Sequence, residues 1–101
     1  MRFLVKVSLP VEAGNTAAKD GFKAIQSILE QQKPEAAYFV AENGKRTGIL
    51  IIHMADASEI PSIAEPWFLA LNAEVHATPA MIPEDLRKAA PTIAQAVKTY
   101  G

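Results

Sequence analysis

The sequence predicts one α+β domain: a four-stranded antiparallel sheet with helices on one face, in the split β-α-β plan. Three observations point there. Two β-rich runs flank an Asn43-Gly44 pair, which supplies the two positive-φ positions of a type I′ hairpin turn. A helical pattern lies on each side of that hairpin, and a further strand candidate lies beyond each helix. The outer strand at the start alternates cleanly, with Phe3, Val5 and Val7 on one side and Leu4, Lys6 and Ser8 on the other.

Taken in order, Arg2 to Leu9 reads as the first strand, ended by Pro10, which cannot donate to a ladder. Residues 11–15 read as a loop, with Asn15 or Thr16 as the N-cap of a first helix running to about Gln32. Its apolar positions Ala18, Phe22, Ile25, Ile28 and Leu29 recur at three- and four-residue steps, and Lys33-Pro34 stops it. Gly21 falls inside that pattern at a cost of ~1 kcal/mol relative to Ala, explained by a close approach of helix to sheet.

The hairpin register opposes Glu42 to Lys45, Val40 to Thr47 and Tyr38 to Ile49, with the third strand continuing through His53 to about Ala55. Ser58 is the expected N-cap of the next helix, Pro61 fits its first turn, and Pro66 breaks it or starts another. Glu74 to Met81 reads as the fourth strand, where Pro79 demands an edge or a strand end. Pro83 to Tyr100 reads as a terminal helix with Glu84 and Asp85 in its first turn. Leu86, Ala90, Ile93, Val97 and Tyr100 form its stripe, and Pro91 is expected to kink it.

Composition narrows the function classes. The chain has 101 residues, half of them hydrophobic, and a net charge of −1. That charge gives no electrostatic case for nucleic acid or an anionic membrane. The absence of cysteine excludes disulfides, thiolate catalysis and a Cys-based zinc site. The opening residues, interrupted by Lys6 and Pro10, do not read as a signal peptide, and the longest apolar run, Ile49 to Ile52, spans no bilayer. A cytoplasmic protein is the expectation.

Strand parity places Phe3, Val5, Val7, Phe39, Leu50, Ile52 and Met54 under the helices. The opposite face carries Lys6, Tyr38, Glu42, His53, His76 and Thr78 among Leu4, Val40, Ile49 and Ile51. That second face is too apolar to be left to water, so something covers it. A second copy of the chain is the expected cover, with the C-terminal helix as the competing one.

This arrangement resembles the dimeric α+β barrel superfamily of ferredoxin-like domains. The runs Lys33-Pro34-Glu35-Ala36-Ala37-Tyr38-Phe39, Ile60 to Leu69 and Met81-Ile82-Pro83-Glu84-Asp85-Leu86 are similar to an uncharacterised bacterial domain-of-unknown-function family, number 3303. The resemblance implies the fold and a small bacterial cytoplasmic protein. It implies no activity, and no catalytic residue is carried over from it. The wider superfamily includes cofactor-free monooxygenases, isomerases, dehydratases and haem enzymes, but only analogy suggests haem or flavin here, and no cofactor is expected.

His53 is the candidate for proton transfer, because imidazole titrates near neutrality at the end of a buried strand. Tyr38, Glu42, Trp67 and Asn72 are the candidate ligand-binding residues, Trp67 roofing a pocket near the break at Pro66. His53, His76 and a carboxylate such as Glu42 or Glu65 lack any close metal-ligand spacing, so no metal is expected. Two functions therefore stand open: a small enzyme or binder of a modest, partly apolar molecule, and a non-catalytic homodimeric module.

Overall fold

The computed structural model describes residues 1–101. Its elements are β1 (Arg2–Ser8), α1 (Val11–Lys19), α2 (Lys23–Gln32), β2 (Ala36–Glu42), β3 (Lys45–His53), α3 (Ile60–Leu71), β4 (Glu74–Ala80) and α4 (Pro83–Tyr100). The strands form one antiparallel sheet in the order β2-β3-β1-β4, compatible with a ferredoxin-like fold. The hairpin register is the expected one, with Asn43 and Gly44 at φ of 54° and 74°. Pro79 lies on β4, an edge strand, where a missing N–H costs no ladder bond.

The core occupies one face of the sheet. Phe3, Val5 and Val7 of β1 cluster with Leu50 and Ile52 of β3, and Ile28, Trp67 and Leu71 of the helices close over them. Along β1, buried and half-buried residues alternate without exception. Phe39 sits on this covered face in register with Gly48, yet it is 55% exposed. Edge strand β2 lies outside the cover because α2 packs chiefly on α3.

The first helix departs from expectation. It starts at Val11, directly after Pro10, so Asn15 and Thr16 lie within it rather than capping it. Glu12 in its first turn suits the dipole there. The helix then stops at Lys19. Gly21 N–H bonds to the Ala18 carbonyl and Phe22 N–H to that of Ala17, a Schellman cap with Gly21 at φ of 67°. Gly21 is therefore a helix stop and not a contact glycine, and nothing lies near the place its Cβ would occupy.

Two other boundaries are corrected. Asp56, not Ser58, caps the segment before α3: its carboxylate accepts from Ser58 N–H while Glu59 accepts from the N–H of Ala55 and of Asp56. Pro66 does not break α3, which runs unbroken because Ala64, Trp67 and Leu71 anchor its buried side. At its end, Asn72 takes the left-handed conformation that terminates the helix, with φ of 52°.

α4 is the unusual element. None of its residues is buried, and from Ala90 onward all are exposed. The radius of gyration of 17.0 Å exceeds the roughly 13 Å of a compact chain this long, which places α4 away from the body. The terminal helix thus does not cover the second sheet face, and Leu86, Ile93, Val97 and Tyr100 face solvent along it.

The Gly21 cap carries a direct test. Were Gly21 inside a helix, Gly21→Ala would gain ~1 kcal/mol. At positive φ the same change costs about 1 kcal/mol or more, read as a lower urea midpoint.

Candidate functional site

On the uncovered face the register sets side chains in rows across the sheet. Ala36, Ile51, Leu4 and Thr78 make one row; Tyr38, Ile49, Lys6 and His76 make the next. Tyr38 is 67% exposed, and Val40 beside it is also exposed. Lys6 reaches diagonally to Glu42, with Nζ 3.3 Å from Oε1 and 3.2 Å from Oε2. That line passes over Thr47, which explains how a residue on this open face is only 1% exposed.

His53 stands at the other end of β3. Its Nε2 contacts Glu35 Oε1, the same oxygen to which Arg2 Nε donates at 2.8 Å. Arg2 and His53 are directly opposed on β1 and β3, and Glu35 is fixed by its own N–H bonding to the Ile51 carbonyl at 2.8 Å. The His53 hydrogen bond first, and the Arg2 bond second, hold the Glu35 carboxyl below its ordinary value of 4.5. The result is an ionised carboxylate that orients an imidazole, an arrangement suited to proton transfer.

The structure does not gather the predicted residues into one pocket. Glu42 and His53 lie at opposite ends of the β2–β3 hairpin, about 27 Å apart along the strand. Trp67 is buried on the helical side, its Nε1 donating to Gln32 Oε1 at 3.2 Å while Gln32 Nε2 donates to the Ile63 carbonyl at 2.9 Å. Trp67 is a core residue with a satisfied indole, and the sheet separates it from Tyr38, Glu42 and His53. Asn72 is spent on ending α3, beside a shallow depression with Lys23, Ala24 and Leu69. His53 pairs with Arg2 and His76 with Lys6, four residues apart on β1, and no three His, Asp or Glu side chains converge as a metal site would need.

Two residues of the His53 cluster were not singled out by sequence. Arg2 follows only from the β1–β3 register, which no hairpin dictates. Glu35 precedes its strand, so parity counting passes over it. A carboxylate immediately before the strand that flanks a histidine-ended neighbour is the one signal pointing to it.

Glu35 makes stability depend on acid. Its pKa in the folded chain lies below 4.5, so its contribution is complete above that pH and is lost as pH falls further, through the lowered value. Glu35→Gln removes that portion. Its urea midpoint is expected to fall less steeply than the wild type's below pH 4.5, and parallel acid limbs would contradict the assignment.

No helix of the chain is long and apolar enough to cross a membrane. No protein-family model matches this chain, and no curated protein matches it.

Proposed function

We propose that this chain works as a homodimeric module whose two sheets pack face to face, in the manner of the dimeric α+β barrel superfamily and the bacterial family it resembles. The observation that carries this reading is the open sheet face, where exposed Tyr38 and Val40 adjoin half-buried Leu4, Ile49 and Ile51 in an apolar surface that no helix of the chain covers. Exposed surfaces of that kind mark sites of association.

α4 belongs to the same interface. Four strands about 4.8 Å apart and seven residues long give a footprint of roughly 450 Å². A stable interface buries about 800 Å² per partner, so the sheet alone falls short. The stripe Leu86, Ile93, Val97 and Tyr100 supplies more apolar area. The helix also needs a cover for its own sake, because Pro91 inside it removes a backbone bond at ~3 kcal/mol and no packing offsets this within one chain.

Within such a dimer the Arg2–Glu35–His53 cluster lies at the margin of the joined sheets. A second reading follows from it: a cofactor-independent enzyme or a binder of a small, partly apolar molecule, with His53 as the acid–base group and Tyr38 on the same face. What supports this reading is the Glu35 carboxylate in hydrogen-bond contact with His53 on the open face.

Sedimentation equilibrium at micromolar concentration is expected to give twice the chain mass. Tyr38→Glu and Val97→Glu should each return monomers whose circular dichroism spectrum loses helical signal from α4 and keeps the rest, since both side chains are exposed in the single chain and neither touches its core. A wild-type protein that stays monomeric at high concentration would remove the proposal. For the second reading, diethyl pyrocarbonate is expected to modify His53 more slowly in the dimer than in Tyr38→Glu; equal rates place His53 outside any enclosed site.

A further inference from the structure

A second built feature lies on the helical side of the sheet. Between α2 and the β2–β3 hairpin runs a groove of about 540 Å³, walled by Leu9, Phe22, Ile25, Leu29 and Phe39 with Gly48 among its lining residues. Small-molecule sites occupy about 300–1,000 Å³ and pair apolar walls with a few placed polar groups. Its polar lining is Gln26, Thr47 and Arg46, of which Arg46 alone carries a charge.

Arg46 is held by neutral partners only. Its Nη1 donates to Asn15 Oδ1 at 3.0 Å, and its guanidinium lies across Gly14, where an added Cβ would stand 2.8 Å from Nη1. Arg2 has Glu35 and Arg87 has Glu84, but no carboxylate lies within 4.0 Å of Arg46. A seated guanidinium with an unpaired charge beside an apolar trough is complementary to one kind of ligand. We propose that this groove binds a small organic carboxylate with an apolar tail, a medium-chain fatty acid in chemical class. The tail lies on Phe22, Ile25, Leu29 and Phe39, and the carboxylate accepts from Arg46 in the planar fork that guanidinium offers. The groove opens on the helical side of the sheet, at the β2–β3 edge, where Val40 and Thr47 of the open face also reach its lining.

Decanoate, kept below its micellar concentration, is the probe, with decanol as its neutral twin and isothermal calorimetry as the readout. The wild type is expected to bind decanoate saturably at one site per chain. Arg46→Gln should weaken decanoate about tenfold, equal to about 1.4 kcal/mol, while leaving decanol binding unchanged. Arg46 is exposed, so the variant retains the fold, and its circular dichroism spectrum checks this. No saturable heat, equal decanoate affinity in both proteins, or an equal weakening of decanol would overturn the proposal. So would cross-saturation spectra placing α4 of a second copy in the groove.

Discussion

A sheet has two faces, and the short helices of this chain cover only one of them. The alternation along β1 is the plainest expression of that constraint: Phe3, Val5 and Val7 are sealed under α2 and α3, while Leu4, Lys6 and Ser8 are left half-buried at best. Because side chains alternate with a period of two, each strand brings its second set of residues to the open face. Apolar residues there cannot be removed by local adjustment. They must be met by something outside the chain, or remain as exposed surface.

The same constraint shapes the polar groups. Lys6 and Glu42 meet across β3, and Arg2 and His53 meet with Glu35, so the charges at the middle and one end of the open face have partners of opposite sign within the chain, while Lys45 and Glu74 at its other end have none. Exposed pairs of this sort contribute little to stability. In the proposed dimer their effect would be to lower the charge of a surface packed against another apolar layer, where an unpaired buried charge is costly. Arg46, on the other side of the sheet, has no such partner and is held instead by the neutral side chain of Asn15.

Much of the fold is legible in the residues because the signals are local. Asn43-Gly44 fixes a turn, the turn fixes a register, and the register decides which side chains share a face. The helix breaks were less legible. Ala18, Phe22 and Ile25 keep a helical period across Gly21, and the left-handed residues that end α1 there are invisible to a periodicity count. The candidate site divides the same way. Strand parity puts His53, Tyr38 and Glu42 on the face they occupy, whereas Trp67, a pocket residue by its place beside Pro66, fills the core as large aromatics more often do. The Arg2–Glu35–His53 cluster depends on a pairing between strands far apart in sequence, which no local signal carries.

Two prolines show how far context decides the behaviour of a helix. Pro66 and Pro91 each stand inside a helix and each forfeits one backbone bond. In α3 the loss is offset by Ala64, Trp67 and Leu71, packed against β4 and α2. In α4 no buried residue offsets anything. An 18-residue helix in water is only marginally stable even without such a defect. The stripe on α4 therefore has value only when something receives it, and the helix and its receiver are stabilised together. On that physics the proposed dimer would make the order of the C-terminal helix and assembly one equilibrium: association would supply the packing that Pro91 withholds, and a chain kept apart would lose the helix before it loses the sheet.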